Sequence, residues 1–231
     1  VSMNIMRNYL ADSSLQKHLI RQLVALQQML KGAGMDFDIE YPASDNDTRL
    51  LGAFFKQLRA AMGGNILITA DVGPESYMEN SLGHLEGAVI NAYLNWINLM
   101  TYGKGANNGM ELMRKTVQEY VNKGVDSNKI VIGLPFYAKA TWLDGNGKRV
   151  PFIPPYSYLV GKIADDDFVT DTLSFDKPGA QPAYLLFNSP RTIALKAKYA
   201  ESFGGVMVWS WRYDVVGRHS LSDAILKSMN E

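Results

Sequence analysis

The chain has 231 residues, 47% of them hydrophobic, which is enough for one substantial core and one sizeable insertion. Its 23 basic and 23 acidic residues give a formal net charge of zero, which argues against nucleic acid or an anionic membrane as the main partner. No cysteine is present, so disulfides and thiolate metal sites are excluded. No apolar run approaches the length of a transmembrane helix, and no signal peptide is recognisable after Val1.

Helical and strand patterns alternate along the chain. Leucines recur at helical spacing between residues 15 and 30, behind two serines that are suitable helix caps. On the same grounds we predict helices over about 13–31, 45–62, 82–92, 110–123, 189–202 and 220–229. Strands are predicted over about 35–41, 65–71, 96–102, 129–134, 184–187 and 206–211. Residues 136–184 are rich in proline and are predicted to form an irregular loop insertion.

Strand–helix alternation predicts a parallel sheet, either a TIM (β/α)8 barrel or a doubly wound sheet. The predicted strands end in polar or aromatic residues, namely Glu40, Asp71, Tyr102 and Trp209. Both architectures place their chemistry at the carboxyl ends of the strands. Because no glycine-rich nucleotide-binding motif follows any strand, we expect an α/β chain of the TIM (β/α)8-barrel type.

The number of repeating units is lower than a closed barrel requires. Only about five to six βα units are evident, whereas the closed barrel has eight. Residues 1–3 are predicted to be the tail of a preceding strand, and an open remnant would expose apolar edges and part of its core. We therefore expect a single partial barrel domain over 1–231 that is a fragment, an incomplete chain, or one partner of a barrel completed by another chain or segment.

The acidic strand predicted over 35–41 is the most informative segment. If it is a strand, Asp36, Asp38 and Glu40 share one face, and Phe37 and Ile39 occupy the other. Carboxylates crowded on an enclosed face raise at least one pKa, which keeps a carboxyl group protonated near neutral pH. This pattern predicts a catalytic site, with a solvated strand edge and a metal site of oxygen ligands as the alternatives.

Four segments together resemble glycoside hydrolase family 18, the chitinase family. Residues 33–42 read A-G-M-D-F-D-I-E-Y-P and resemble that family's D-G-x-D-x-D-x-E signature on the fourth barrel strand, often followed by Tyr-Pro. Residues 98–102 resemble its M-x-Y-D segment, and residues 129–137 its G-x-P-F-Y-G-R strand. Residues 204–210 resemble its final strand, which carries a substrate-stacking tryptophan. The resemblance runs from about residue 1 to the C-terminus.

The resemblance implies retaining hydrolysis in which the acetamido oxygen of the substrate is the nucleophile. Glu40 would protonate the leaving oxygen and later activate water, with its pKa raised by the neighbouring Asp38 and Asp36. Asp38 would hydrogen-bond the acetamido N–H and stabilise the oxazolinium intermediate, and Asp36 would hold or share a proton with Asp38. Tyr102 would donate its hydroxyl to the acetamido oxygen.

Substrate binding is implied for four residues. Trp209 would lie beneath the distorted sugar, because the apolar face of a pyranose packs well on an indole. Tyr137, Met100 and Tyr41 would bind substrate in the same region, with ordinary packing as the alternative for Tyr137 and Met100. No metal and no cofactor are required.

Three positions depart from the family pattern. Ala33 stands where the signature has its first Asp, and Gly103 stands where M-x-Y-D has its Asp. Lys139 replaces the usual Arg, and a lysine holds a carboxylate as a point charge where an arginine binds it bidentately. The catalytic acids are intact, which argues against the lectin-like members that have lost the Glu.

The implied function is hydrolysis of β-1,4-linked N-acetylglucosamine polymers, that is, of chitin and chitooligosaccharides. Two alternatives stay open: an endo-β-N-acetylglucosaminidase acting on N-glycans, and a non-catalytic carbohydrate-binding barrel remnant. The expected partners are an N-acetylglucosamine-containing oligosaccharide and a complementing chain or segment, with no nucleic acid and no membrane. The resemblance also implies secretion, from a bacterium.

Overall fold

The fold is that of a computed structural model, and the described parts of the chain are residues 1–74, 85–102, 109–144, 146–160, 162–174 and 184–230. The chain divides into two compact units, one of residues 1–100 and 115–132 and the other of residues 101–114 and 133–231. The expectation of a single domain over the whole chain stays a prediction. No helix among the described residues is long and apolar enough to cross a membrane.

The first unit carries most of the predicted βα repeats. Its helices are α1 Met3–Ala11, α2 Ser13–Leu30, α3 Asp45–Met62 and α4 Gly87–Tyr93, and the chain continues through α5 Met110–Asn122. Its strands are β1 Gly34–Asp38, β2 Leu67–Val72, β3 Trp96–Leu99 and the start of β4 Ile130–Pro135. The bounds agree with the sequence-based prediction to within a few residues, except for α1, which was not predicted.

The four strands form a parallel ladder in the order β1, β2, β3, β4. The central strands are buried on their apolar positions, and Ile68, Ile97 and Leu99 are fully enclosed. β1 is the first strand of the order, and none of its residues is fully buried. Hydrophobic packing is therefore strongest at β2 and β3, as expected for a ladder whose outer strand has a free edge.

Helix α3 packs against the apolar face of β1. Phe37 of β1 packs edge-on against Phe54 and Phe55, with ring centroids 5.7 and 5.6 Å apart. Arg7 of α1 forms a bidentate salt bridge with the buried Asp47 of α3, with N···O distances of 2.7 and 2.8 Å. The Arg7 guanidinium holds the pKa of Asp47 below its usual range.

The predicted strand tail at residues 1–3 is reduced to one bridge, because Met3 already begins α1. Ser2 forms a parallel bridge with Glu40, just beyond β1. The Glu40 N–H donates to the Val1 carbonyl at 2.9 Å, and the Met3 N–H donates to the Glu40 carbonyl at 3.2 Å. The bridge lies at the carboxyl end of β1, and a strand preceding it stays a prediction.

The remainder of β1 borders an apolar groove between β1 and α2. Leu23, Leu26 and Leu30 line it from the helix, and Met35 and Phe37 line it from the strand, around a volume of about 310 Å³. Leu30 is 65% exposed, which is unusual for an apolar residue at this position of an amphipathic helix. Leu26 and Leu30 of α2 are thus exposed beside β1, and exposure of the barrel core stays a prediction.

The second unit contains a small antiparallel sheet. Its strands are β5 Lys139–Leu143, β6 Arg149–Phe152, β7 Thr172–Ser174 and β8 Tyr184–Leu186, in the order β6, β5, β8, β7. The prediction that residues 136–184 are irregular was therefore wrong for the described residues. The prediction relied on the prolines of this segment. Pro151 nevertheless lies within β6, and Pro154 and Pro155 follow that strand without interrupting the pairing.

The rest of the second unit contains β9 Gly205–Trp209 beside β4, and the helices α6 Pro190–Ala200 and α7 Leu221–Asn230. The backbone N–H of Phe136, just after β4, donates to the Trp209 carbonyl at 2.9 Å. The Asp214 carboxylate caps the start of α7, since it accepts hydrogen bonds from the backbone N–H groups of Leu221 and Ser222, both at 2.9 Å. These contacts fix the chain where β9 ends.

Replacing Gly34 by alanine should destabilise the first unit. A Cβ at Gly34 would lie 2.2 Å from the Leu67 carbonyl oxygen, so β1 and β2 would have to separate. We expect Gly34→Ala to lower the free energy of unfolding by about 1–3 kcal/mol, measured by urea denaturation. Gly32→Ala is the matched control, because its Cβ would find its nearest atom at 3.6 Å. Equal stability of the two variants would contradict the close approach of β1 to β2.

Candidate active site

The acidic face of β1 is formed by the three predicted carboxyl groups. Asp36, Asp38 and Glu40 are exposed, whereas Ile39 is buried and Phe37 is half-buried against α3. The predicted alternation is confirmed. The face lies on the first strand of the ladder, where its three carboxyl groups are exposed.

Asp36 is held by neutral donors from the neighbouring strands. The Thr69 hydroxyl on β2 donates to Oδ1 of Asp36, and Nδ2 of Asn98 on β3 donates to the same oxygen at 3.1 Å. The orientation of the Asn98 amide is fixed in turn by Nε1 of Trp96, which donates to Oδ1 of Asn98 at 3.1 Å. Asp36 is therefore anchored across the ladder to the two neighbouring strands.

Asp38 interacts with Glu40. Partial burial, the charge of Glu40 and a hydrogen bond between the two side chains together raise the pKa of Asp38 above its ordinary value, and Asp36 adds to the effect. The ammonium group of Val1 opposes this shift in part. A carboxyl group that is easily protonated therefore lies directly beside the residue predicted to be the general acid.

Sequence reasoning did not include Asp71 among the site residues. Asp71 lies near the end of β2, is half-buried, and is hydrogen-bonded to Asn98 and Asp36. Burial, followed by the charge of Asp36, raises the pKa of Asp71 to about 7. Its place at the end of a predicted strand was the available signal, but its contacts depend on the register of three strands.

The acidic face has no geometry suited to a metal ion. Within the described part of the chain, no three His, Asp or Glu side chains are arranged to hold one. The metal-site alternative therefore receives no support from the arrangement of Asp36, Asp38 and Glu40.

Four aromatic rings of the second unit contact one another in series, and we call them the aromatic line. Tyr102 contacts Tyr137 edge-on at 5.9 Å, Tyr137 contacts Trp209 at 5.5 Å, and Trp209 contacts Tyr213 at 5.5 Å. Trp209 is 47% exposed, whereas Tyr102 and Tyr137 are buried. Trp209 thus presents an exposed indole that the neighbouring rings hold in place.

Two predicted substrate-binding residues lie in apolar surroundings of the first unit. Tyr41 lines a small cavity together with the apolar Phe37 and Ile39 and with Asp71. Met100 is buried, and its N–H donates to the Val72 carbonyl at 2.8 Å. Both positions fit packing, and their predicted contacts with substrate stay predictions.

The sequence profile of Glycosyl hydrolases family 18 matches residues 7–214, which is most of the chain. The chain belongs to this family. Among its relatives, Chitinase 1 of Aphanocladium album is 29% identical over 81% of this chain and 53% of its own length. Nod factor hydrolase protein 1 of Medicago truncatula is 24% identical over 88% of this chain and 64% of its own. The chain therefore spans between about half and two thirds of the length of these relatives.

Solved structures show the same fold. A chitinase from Bacteroides thetaiotaomicron is 25% identical with a TM-score of 0.77, over 96% of this chain and 71% of that one. The chitinase-like agglutinin RobpsCRA from Robinia pseudoacacia gives a TM-score of 0.76 at 20% identity, over 98% of this chain and 76% of that one. The TIM (β/α)8-barrel type predicted for this family 18 chain is confirmed, and part of each of these two chains lies outside the match.

Two of the three positions that depart from the family 18 pattern lie in the described part of the chain. Ala33 immediately precedes β1, and its carbonyl accepts from the Leu67 N–H at 3.0 Å. Lys139 begins β5, where partial burial lowers its pKa. Gly103 lies outside the described residues.

Neutralising Glu40 should change the titration of Asp38. In Glu40→Gln the charge that raises the pKa of Asp38 is removed, so this pKa should fall, yet burial should keep it above the ordinary value. Carboxyl-carbon NMR titration of the two proteins measures the change. Glu111→Gln, at an exposed position in the first turn of α5, should leave it unaltered. An unchanged Asp38 titration in Glu40→Gln would contradict the pairing.

Proposed function

We propose that this chain carries the catalytic residues of a glycoside hydrolase that cleaves β-1,4-linked N-acetylglucosamine polymers with retention of configuration. The observation that carries the proposal is the acidic face of β1, on which Asp38 is hydrogen-bonded to Glu40 and Asp36 is anchored by Thr69 and Asn98. In a family 18 chain, this arrangement supports chemistry assisted by the substrate.

In the proposed first step, the acetamido oxygen of the substrate attacks the anomeric carbon. Glu40 donates its proton to the leaving oxygen as the glycosidic bond breaks, and a cyclic oxazolinium ion forms. Asp38 accepts a hydrogen bond from the acetamido N–H and stabilises the positive charge, and Tyr102 orients the acetamido group. In the second step Glu40 removes a proton from water, which opens the ring at the anomeric carbon.

The hydrogen bond between Asp38 and Glu40 suits this cycle. One of the two carboxyl groups must carry a proton to donate it, and the raised pKa of Asp38 keeps a proton available at the pair. When substrate binds, Asp38 can exchange its bond to Glu40 for one to the acetamido N–H. Glu40 is then free to protonate the leaving oxygen.

The aromatic line supports a carbohydrate as the substrate. Trp209 is exposed enough to stack on a pyranose, and its edge contacts with Tyr137 and Tyr213 reduce the entropy lost when a sugar binds. A mutant class V chitinase from Nicotiana tobaccum, of the same fold at 20% identity, is described in complex with NAG4. Chitooligosaccharides are therefore the substrates we propose.

Two other functions remain as alternatives. An endo-β-N-acetylglucosaminidase would use the same acids, so a panel of N-glycan and chitin substrates separates the two activities. A carbohydrate-binding barrel without turnover is favoured by the likeness to the Robinia agglutinin. Secretion is proposed by analogy with the family, and a bacterial source stays a prediction.

Loss of the Glu40 carboxyl should abolish turnover. We expect the chain to hydrolyse fluorogenic chitobioside and chitotrioside. The rate of hydrolysis should fall by at least about a thousandfold in Glu40→Gln, because general acid and base catalysis both disappear. Glu111→Gln is the matched control and should retain full activity. Binding of chitotriose, followed by tryptophan fluorescence, should persist in Glu40→Gln.

The outcomes separate the hypotheses. An active Glu40→Gln protein would contradict the assigned acid. Binding without turnover by the folded chain would favour the carbohydrate-binding alternative. The same assay with additional barrel strands supplied would then test the chitinase hypothesis again.

We also propose that the free edge of β1 pairs with an added parallel strand. The Ser2–Glu40 bridge already occupies the carboxyl end of this edge, and the groove beside it exposes Leu26 and Leu30. A strand continuing that bridge toward Gly34 would cover the groove. This is the complementing segment expected from the small number of βα units.

The exposed groove should make the chain self-associate when no such strand is supplied. We expect Leu26→Lys together with Leu30→Lys to reduce self-association measured by sedimentation, because charged residues at an open edge oppose pairing. Lys substitution of Leu195, an exposed leucine on α6, is the control. Monodisperse wild-type protein with one cooperative unfolding transition would contradict the proposal.

A further inference from the structure

We propose that Asp71 is a positioning residue of the acidic face that shares a proton with Asp36 across the β1–β2 ladder. The inference rests on the proposed function for its catalytic meaning. The proton sharing itself follows from the geometry of three strands.

The register of the ladder brings the two carboxyl groups together. Asp36 is paired with Thr69, and Asp38 is paired with Asp71, in parallel strands. Since alternate residues of a strand share a face, Thr69 and Asp71 project on the same side as Asp36 and Asp38. The hydrogen bond from Thr69 to Asp36 agrees with this placement.

Asn98 bridges the pair. Its Oδ1 is occupied by Nε1 of Trp96, so its amide N–H groups face the acids. Nδ2 donates to Asp36 at 3.1 Å, and Asn98 is also hydrogen-bonded to Asp71, its register partner on β2. One neutral amide therefore serves both carboxyl groups.

The contact between Asp36 and Asp71 requires a proton. Two ionised carboxylates only accept hydrogen bonds, so the bond between these side chains forms when one of them is protonated. The charged groups that act on Asp71 are Asp36 and Asp38 on β1, and its neighbour on β3 is the neutral Asn98. Like charges and partial burial both favour a shared proton over two negative charges.

The proton is held within the range in which a glycosidase works. Burial and the charge of Asp36 raise the pKa of Asp71 to about 7. Below that pH the pair carries one negative charge, and Asp71 donates to Asp36. Above it the donated hydrogen bond is lost, and Asp36 is held by Thr69 and Asn98 alone.

Asp71→Asn mimics the protonated state at every pH, because an asparagine amide can donate to Asp36 and accept from Asn98. Asp71→Ala removes the contact. Asp166→Asn, at an exposed position in the second unit, is the matched control for loss of one negative charge.

The decisive experiment needs no catalysis. The pKa of Asp71 in the folded chain exceeds that of an unfolded aspartate, about 3.9, so the contribution of Asp71 to stability is lost as pH rises from about 4 through about 7. We expect the melting temperature of Asp71→Asn to rise relative to the wild type across this window, whereas Asp166→Asn follows the wild type. A constant difference between Asp71→Asn and the wild type would overturn proton sharing.

A titration of the unsubstituted protein tests the proposal even if a variant does not fold. Carboxyl-carbon NMR should show Asp71 titrating near pH 7. A midpoint near 4 would overturn the proposal.

The positioning role is tested by kinetics on chitotrioside. At pH 6, Asp71→Asn should retain the wild-type kcat to within about threefold, Asp71→Ala should lose about tenfold, and KM should change little in both. The alkaline limb of the kcat profile should move up by about one pH unit in Asp71→Asn. An unmoved limb in an active enzyme overturns the positioning role, whereas an inactive wild type with the expected stability profile overturns only the proposed hydrolysis.

Discussion

The parallel register of β1, β2 and β3 is the constraint on which the acidic face depends. It pairs Asp36 with Thr69, Asp38 with Asp71, and Asp71 with Asn98, so polar side chains from three strands meet on one face. A slip of one residue would bring Phe37 and its apolar neighbours to that face. The close approach of Gly34 to Leu67 opposes such a slip, because only glycine fits there.

Stability in the first unit comes from the opposite face of the same strands. Phe37 packs against two phenylalanines of α3, and Ile68 and Ile97 are fully buried. Four carboxyl groups on the polar face repel one another and contribute no such packing, so the apolar face must offset their cost. Separating the two requirements by strand alternation lets one short ladder satisfy both.

The sequence predicted those features that depend on neighbouring residues. The alternation of Asp36, Asp38 and Glu40 with apolar residues required only that the segment be a strand, and helical periodicity located α2 and α3. Features that depend on distant residues were missed. The pairing of Asp71 with Asp36 requires the register of strands more than thirty residues apart, and the solvent exposure of the acids depends on what lies beside β1. The small sheet formed by β5 to β8 was hidden by prolines that its strand ends tolerate.

The acidic face is best understood as two carboxyl pairs with different geometries. Asp38 and Glu40 lie two residues apart on one chain segment, where both are exposed, and substrate can replace the hydrogen bond between them. Asp36 and Asp71 lie on adjacent strands, and the amide of Asn98 holds both. Under the proposed function the first pair exchanges protons with the substrate, while the second shares its proton between two strands of the ladder. A proton retained at Asp71 limits the negative charge beside Asp38, and in the proposed mechanism this would let Asp38 ionise as positive charge develops on the substrate.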